Sequence, residues 1–387
     1  MIQPVLPPAC YTEEHWFKRE KEKIFGQLWL LAGLTQQLET EDSFISRDLS
    51  GIPVLIQNIG GKLYAFRNAC THRGVPIQIA ESGKRKMICP YHGWSFGNDG
   101  SLRGVPNAQI YNLSEADKAA AHLHRYALEI VGNFVFVNLS EDPLPITEQF
   151  PDYVLETLKE VSPLFAKEVS YTHFTGEYNW KINFENILDW NHILFVHGQT
   201  FAPLLEYNKG GVIAAAKPGN TPIFGGKIPA TDTTKPPRTD PPALKDLSYG
   251  SRTFIEYAPH WYADFFDSPC DRGTILSCHL FPNMNFGSVH GEYFYLQQYV
   301  PLDAEHIEFH SWIFHTRLKP HVPPQPHLLW GLHHCEKRVV DEDIAIFNAL
   351  QKALRSANTV GTMGDYERPL ESIGKWYMAN LAGQKAI

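Results

Sequence analysis

The chain has 387 residues, of which 43% are hydrophobic and 13% aromatic, and its formal net charge at pH 7 is −8. This size and apolar content predict a globular protein with two domains. The negative charge and the lack of any Lys/Arg-rich run argue against binding to nucleic acid or anionic lipid. The sequence shows no signal-peptide pattern and no apolar run of membrane-spanning length, so we expect a soluble cytoplasmic protein.

The first predicted elements change from helix to strand. Residues 11–34 begin with an acid-rich turn and carry apolar residues at helical spacing, which predicts one capped amphipathic helix. From about 42 to 140 the pattern indicates strands, with one hairpin at Gly60-Gly61 and a second strand pair that bends at Gly132-Asn133. A helix is predicted again at 150–161.

The C-terminal region mixes strands and helices. Aromatic and β-branched segments between 168 and 318 alternate with turns, which predicts an antiparallel sheet. Long helices are predicted at about 328–357 and 366–382. Residues 215–245 are rich in Pro, Gly and Thr and are predicted to be a surface linker, with a substrate lid as the alternative.

Four candidate metal ligands lie close together in the strand-rich region. Cys70, His72, Cys89 and His92 form the pattern C-x-H-x16-C-x2-H, so each of two loops supplies one thiolate and one imidazole. A Rieske cluster binds one iron through two cysteines and the other through two histidines. Zinc is the alternative, but zinc sites usually pair cysteine with cysteine. The pattern therefore favours a 2Fe–2S cluster.

Glycines next to these ligands predict a close approach of the backbone to the cluster. Gly74 and Gly93 follow the two histidines, and we expect amides there to donate hydrogen bonds to the sulfur atoms. Trp94 is expected to pack against the cluster loops, and Arg73 to stabilise one of them.

A second pair of histidines, His192 and His197, is five positions apart. Five residues of an α-helix turn through about 140° beyond a full circle, so both rings reach one ion only if the helix ends or bends between them. Gly198 makes such an end plausible. Two histidines and one carboxylate form the open facial site of non-haem Fe(II) oxygenases. Taken alone the pair is weak, because the chain has 18 histidines.

Together these stretches resemble the large (alpha) subunits of Rieske non-haem iron oxygenases. The resemblance rests on C-x-H-R-G and C-P-Y-H-G-W in the cluster loops, on N-W-K-x3-E-N-x2-D-x2-H-x4-H at 179–197, and on HLFPN at 279–283. It implies that His192 and His197 are iron ligands. It also implies that Asp189 is the carboxylate that, in this family, bridges the iron-bound histidine to the Rieske histidine of a neighbouring subunit.

The third iron ligand is implied by a late acidic segment. Residues 336–354 resemble the E-D-x7-Q pattern of the family, which makes Asp343 the ligand and places Gln351 at the glutamine position. Asp341 and Glu342 are the neighbouring carboxylates. Asn348 departs from the pattern, because many relatives have glutamate there.

The resemblance implies an α+β fold, in which a Rieske β-sandwich domain is inserted into a catalytic domain whose antiparallel sheet is gripped around helices. The predicted boundaries are 1–41 for an N-terminal helical segment of the catalytic domain, 42–145 for the Rieske domain and 146–387 for the catalytic domain. The implied cofactors are a Rieske 2Fe–2S cluster and a mononuclear Fe(II).

No GxGxxG motif follows a strand, so we expect electrons from a separate flavin or iron–sulfur reductase. The family also implies a head-to-tail homotrimer. The predicted function is that of a terminal oxygenase that uses O2 to hydroxylate or demethylate a small compound. The alternative of a different class is a Rieske electron carrier without oxygenase activity, which would not need His192, His197 and Asp343.

The substrate is predicted from apolar residues near the iron ligands. An aromatic or other cyclic compound is favoured, and N-demethylation of a quaternary amine is the alternative, because aromatic cages also bind quaternary ammonium. Core packing would explain most of these residues equally well. The proposed lining residues are Phe184, Leu188, Ile193, Phe195, Tyr257, Trp261, Phe265, Phe266, Phe281 and Phe286.

Overall fold

The structure is a computed structural model that describes residues 4–189, 192–200, 239–254, 260–267, 272–358, 361–364 and 367–381. The predicted linker at 215–245 lies largely outside these ranges, as does Tyr257. The described helices are α1 Ala9–Thr12, α2 Glu14–Glu20, α3 Ala108–Tyr111, α4 Glu115–Ala120, α5 Ile146–Gln149, α6 Asp152–Val161, α7 Trp180–Asn186, α8 Ile193–Val196, α9 Pro326–Leu354 and α10 Arg368–Leu381.

The described strands form two larger sheets and one small ribbon. They are β1 Trp29–Leu34, β2 Ser43–Leu49, β3 Ile52–Ile59, β4 Lys62–Arg67, β5 Ser82–Lys84, β6 Ser95–Phe96, β7 Leu102–Gly104, β8 Arg125–Val131, β9 Phe134–Asn138, β10 Ser170–Gly176, β11 Tyr249–Phe254, β12 Thr274–Leu280, β13 Met284–Val289, β14 Tyr293–Pro301 and β15 Ile307–His315. None of the described helices is long and apolar enough to cross a bilayer.

The chain divides into two compact units. One consists of Phe25–Leu144, and the other combines Met1–Ile24 with Pro145–Ile387, so the first is inserted in sequence within the second. The fold is α+β, as predicted, with antiparallel sheets in both units. The predicted boundaries at 41/42 and 145/146 stay a prediction.

The inserted unit is built on hairpins. Its described strands pair in the order β1-β9-β8-β4-β3-β2-β5, and β6 pairs with β7. The hairpin between β3 and β4 turns through Gly60 and Gly61, whose φ angles are +63° and +75°. The second predicted pair is β8 and β9, joined through Gly132 at φ +59°. Both hairpin predictions are confirmed.

The predicted helix over 11–34 is only partly correct. Helix α2 ends at Glu20, a π-helical turn follows at Lys21–Phe25, and residues 29–34 form strand β1. All six residues of β1 are buried, and all but Ala32, which lies at a register shift, pair with β9. A continuous apolar run suits a strand that is covered on both faces better than an amphipathic helix, and this explains the error.

The other unit has an antiparallel sheet in the order β10-β15-β14-β13-β12-β11 among its described strands. Helix α9 packs on β10 and β15. The buried or half-buried stripe of α9 includes Val340, Asp343, Phe347 and Gln351, spaced by three or four residues. This spacing turns the Asp343 carboxylate toward the interior of the unit.

Candidate metal centres and substrate cavity

The two predicted cluster loops have the same backbone geometry. In each loop, the cysteine N–H donates to the carbonyl five residues later, and the N–H of the glycine four residues later donates back to the cysteine carbonyl. The donor–acceptor distances are 2.8 Å for Cys70–Val75, 2.8 Å for Gly74–Cys70, 2.7 Å for Cys89–Trp94 and 3.0 Å for Gly93–Cys89. The two turns thus share the hydrogen bonds around the cysteine, while the histidine follows it by two residues in one loop and by three in the other.

The glycines permit these turns but do not supply donors to sulfur. Gly74 and Gly93 have φ angles of +75° and +72°, a region that favours glycine. Their N–H groups donate to carbonyls, so the expectation that they bind sulfur is wrong. Burial raises the pKa of the Cys70 thiol to about 11, and the N–H groups of His72 and Arg73 act against this shift. These two amides face the sulfur instead.

The imidazoles lie beside each other and are supported by aromatic rings. The ring centroids of His72 and His92 are 4.8 Å apart. Trp94 stacks on His72 at 4.7 Å with an interplanar angle of 9°. Nδ1 of His92 is buried and has no hydrogen-bond partner among the described residues. Two buried free thiols and an unpaired ring nitrogen fit the donor set of a Rieske cluster.

In the other unit, the structure brings His192, His197 and Asp343 together. Each offers a ligand atom, and these atoms lie within 4.8 Å of one another. Nε2 of His197 is 3.1 Å and Nε2 of His192 is 3.7 Å from Oδ1 of Asp343. Two ligands at about 2.1 Å from a metal and at right angles to each other lie about 3 Å apart. The spacing therefore fits one shared ion.

The local chain explains how both histidines reach this point. Helix α8 has only four residues, and His192 and His197 flank it as the N-cap and C-cap. The helix thus ends before His197, as the five-residue spacing required. Oδ1 of Asp343, the atom that faces Nε2 of both histidines, is buried without a hydrogen-bond partner among the described residues. Such orphaned polar atoms are costly unless a ligand satisfies them.

Two further carboxylates lie near the Nδ1 atoms of the histidines. Oε2 of Glu342 is 2.8 Å from Nδ1 of His197 and accepts a hydrogen bond of 2.6 Å from Oγ1 of Thr200. Oδ2 of Asp189 is 3.9 Å from Nδ1 of His192. A carboxylate at Nδ1 holds the proton on that nitrogen and leaves the Nε2 lone pair for a metal.

The surroundings shift the pKa values of the two histidines in opposite directions. Burial lowers the pKa of His192, and the nearby carboxylates of Asp343 and Asp189 offset this only in part. Burial also lowers the pKa of His197, but Asp343 and Glu342 outweigh it, so the net shift is upward. The same carboxylates that favour a proton on His197 also favour a metal cation in its place.

The N-W-K stretch at 179–181 has a structural role. Oδ1 of Asn179 caps α7 by accepting from the Lys181 N–H at 2.9 Å. Lys181 and Glu20 are both buried and form an ion pair. Oε2 of Glu20 also accepts from Trp180 Nε1 at 2.7 Å, and Oε1 accepts from Tyr377 Oη at 2.6 Å. This network ties the N-terminal segment and α10 to the helix that precedes the iron ligands.

Gln351 extends this hydrogen-bond network to α9. Its Oε1 accepts from the Asn179 N–H at 2.9 Å, and its Nε2 donates to the Tyr11 carbonyl at 3.0 Å and to Glu305 at 2.9 Å. It therefore anchors α9 rather than the metal site.

A cavity of about 280 Å³ opens at the triad. This is at the small end of the range of ligand pockets, which is about 300–1,000 Å³. Its aromatic lining comes from Tyr293, Tyr295, Phe309 and Phe347. These rings belong to β14, β15 and α9.

Most of the residues predicted to line the substrate site lie elsewhere. Among the described residues, only Ile193 of that set lines this cavity. Phe195 and Trp261 are 80% and 76% exposed, and Phe281 packs on Trp180 and Trp376. Core packing, the alternative, accounts for the buried members.

Sequence reasoning missed five polar residues around this site. Glu342 was recognised only as a neighbour of Asp343, and the others were given no role. Two features distinguish these residues. Some are polar side chains in strands that are almost entirely buried, and the others are acids on the half-buried side of a helix. These residues are His279, Asn285, Gln297, Glu336 and Glu342.

Two family models match different parts of the chain. Residues 28–115 match the family model of the Rieske [2Fe-2S] domain, and residues 165–383 match that of the ring hydroxylating alpha subunit (catalytic domain). The fold is similar to that of the quaternary ammonium Rieske monooxygenase CntA, with a TM-score of 0.73, 20% identity and coverage of 96% of this chain and 94% of that one. It is also similar to naphthalene 1,2-dioxygenase from Rhodococcus sp., with a TM-score of 0.68, 17% identity and coverage of 98% and 95%.

Similar sequences are found among oxygenase subunits. The glycine betaine monooxygenase oxygenase subunit of Pseudomonas aeruginosa is 28% identical over 207 residues, which cover 52% of this chain and 47% of that protein. The carnitine monooxygenase oxygenase subunit of Escherichia coli is 31% identical over 192 residues, which cover 48% and 50%. The chain thus spans about half the length of the curated relatives it matches.

Proposed function

Because the chain belongs to the ring-hydroxylating oxygenase alpha-subunit family and carries a Rieske domain, we propose that it is the terminal oxygenase of a Rieske system. It uses O2 and electrons from another protein to hydroxylate or demethylate a small organic compound. Its cofactors are a Rieske 2Fe–2S cluster and a mononuclear iron, which the family's catalytic domain binds. The observation that carries the proposal is the convergence of His192, His197 and Asp343 at a cavity.

The proposed ligands divide between two metal centres, the cluster and the mononuclear iron. Cys70, His72, Cys89 and His92 hold the cluster in this proposal, and His192, His197 and Asp343 hold the iron. Together the two groups supply electrons one at a time and a coordination face open to O2.

Residues around the iron site orient its histidine ligands and limit the access of water. Glu342 keeps the proton of His197 on Nδ1, so Nε2 is free to bind metal. Asp189, beside Nδ1 of His192, orients the other ring. The apolar side chains of Ile193, Val340 and Phe347 line the same cavity and limit access of water.

Two substrate classes are supported by different observations. Matched relatives are named for glycine betaine, choline and carnitine, which favours a small quaternary amine and oxidation next to its nitrogen. The second candidate is an aromatic or cyclic compound, favoured by the ring-hydroxylating family and by the Tyr and Phe rings in the cavity.

The proposed partners complete the electron path. A separate flavin or iron–sulfur reductase supplies electrons, since the chain has no GxGxxG motif that would bind NAD(P)H. We place the chain in a head-to-tail homotrimer, in which Asp189 links the iron-bound His192 to a Rieske histidine of the next subunit.

Iron content after anaerobic reconstitution tests the proposal. The wild-type chain should hold about three irons, and Asp343→Ala should hold about two while keeping the Rieske spectrum. An electron carrier would hold two irons in both proteins. Substrate-dependent O2 uptake with a surrogate reductase then tests the activity, and its absence across amines and cyclic compounds would contradict an oxygenase.

A further inference from the structure

A row of polar side chains crosses the sheet beneath the cavity. His279 in β12 lies directly opposite Asn285 in β13, which lies directly opposite Gln297 in β14. All three are buried, and all three line the cavity. Asn285 Nδ2 donates to Gln297 Oε1 at 3.0 Å, so the orientation of both amides is defined.

The row ends at an acid on α9. Nε2 of Gln297 donates to Oε1 of Glu336 in a long hydrogen bond of 3.4 Å. Glu336 also lines the cavity. It precedes Asp343 by seven residues, so it lies on the same face of α9, two turns or about 10 Å away. Because Glu336 and Asp343 line the same cavity, a small ligand can contact Glu336 and extend toward the iron ligands.

The charge of Glu336 has no matching cation. No Lys or Arg in the described part of the chain lies within ion-pair distance of its carboxylate. The described lining contains three acids, three histidines and one arginine, Arg338, which is exposed. Burial raises the pKa of Glu336 to about 7, which agrees with an uncompensated carboxylate. A cavity of one charge sign attracts ligands of the other.

Two aromatic rings line the cavity together with Glu336. Tyr293 and Tyr295 precede Gln297 at alternate positions of β14. Their side chains therefore lie on the same face of the sheet as Gln297, and both line the cavity. Gly287 lies opposite Tyr295 and makes room for it, because a Cβ there would be 2.2 Å from the Tyr295 hydroxyl. A carboxylate next to aromatic rings suits an alkylated ammonium group.

We propose that Glu336 determines substrate class: its carboxylate binds the ammonium group of a small amine, with Tyr293 and Tyr295 against the alkyl groups. This inference rests on the proposed oxygenase function and selects between the two substrate classes supported there. An aromatic hydrocarbon gains nothing from the acid and must desolvate it.

Matched pairs of ligands with and without an ammonium charge test the role of Glu336. Choline and glycine betaine each have an isostere in which carbon replaces the ammonium nitrogen and removes its positive charge, namely 3,3-dimethyl-1-butanol and 3,3-dimethylbutanoate. Calorimetric titration of the anaerobic holoenzyme should show at least about tenfold tighter binding of the ammonium member of a pair. Glu336→Gln should lose most of this preference, and Glu336→Asp should keep part of it.

Asp341→Asn is the matched control, because it removes an exposed acid from the same helix and should keep the wild-type preference. The inference is overturned if the wild-type enzyme shows no preference for the ammonium member of either pair, or if Glu336→Gln keeps it. O2 uptake driven by a cyclic compound alone would overturn it while leaving the oxygenase function intact. Iron missing from the triad would instead contradict the proposed function.

Discussion

Nδ1 of His197 lies 2.8 Å from Oε2 of Glu342, the residue next to the proposed ligand Asp343 on α9. Successive helix residues point about 100° apart, so the two acids reach the same histidine from different sides. Asp343 faces Nε2 and Glu342 faces Nδ1. One helix thus provides both a metal ligand and the group that orients another ligand.

Replacing Glu342 should weaken iron binding without affecting the cluster. Glu342→Ala removes the acceptor at Nδ1 of His197, and loss of such a partner lowers metal affinity by about 10–100-fold. Chelator competition measures the affinity, and the visible spectrum reports the cluster. Asp341→Ala, one residue earlier and exposed, should bind iron like the wild type. Equal affinity in both variants would argue against the role of Glu342.

Asp189 should matter for turnover more than for metal content. Asp189→Ala removes a carboxylate that lies 3.9 Å from Nδ1 of His192 but leaves all seven proposed ligands in place. We expect both metal sites to be occupied and coupled O2 consumption to fall to a few per cent or less of wild type, on the order of the losses for positioning residues. Metal analysis and O2 uptake separate the two effects. A normal rate would exclude a bridging role.

The buried ion pair of Lys181 and Glu20 should be essential for stability. Lys181→Met leaves the Glu20 carboxylate buried with hydrogen bonds from Trp180 and Tyr377 but with no cation. Breaking a buried pair in this way costs about 3–5 kcal/mol. Lys337→Met is the control, since its ion pair with Asp341 is exposed and contributes less than about 1 kcal/mol. Denaturant titration compares them, and similar midpoints would refute the distinction.

Glu185 should make stability depend on pH. Burial raises the pKa of this carboxyl to about 7, although the hydrogen bond from Tyr11 and the charge of Lys181 act against the shift. Between pH 4.5 and 7 the folded protein keeps a proton at Glu185 that the unfolded chain has lost. The unfolded state then binds fewer protons, so this group lowers stability as pH rises through that window.

The variant Glu185→Gln removes this titration but keeps an oxygen that accepts from Tyr11. Relative to wild type it should gain about 3 kcal/mol above pH 7, and the gain should fall close to zero near pH 4.5. Denaturant titrations of both proteins at a series of pH values measure the difference. A difference that does not change with pH would contradict the assignment.

The local motifs and hairpins were predictable because their parts are neighbours in sequence. Each cluster loop carries its cysteine and histidine within four residues, and the geometry of a tight turn brings them together wherever it folds. The turns at Gly60-Gly61 and Gly132 followed from glycine's tolerance of positive φ. The helix predicted over 11–34 failed because β1 is decided by pairing with β9, about a hundred residues later.

The sequence alone therefore determined the cluster-ligand motif and the histidine pair, since both are local patterns, and its resemblance to a known family implied Asp343 and the α+β class. Only the tertiary structure decided which acid faces which nitrogen of His197, how Glu20 and Tyr377 enclose Lys181, and which polar residues line the cavity. His279, Asn285, Gln297 and Glu336 come from three strands and a helix. Strand register and helix packing bring them together, and neither is encoded in any short stretch of residues.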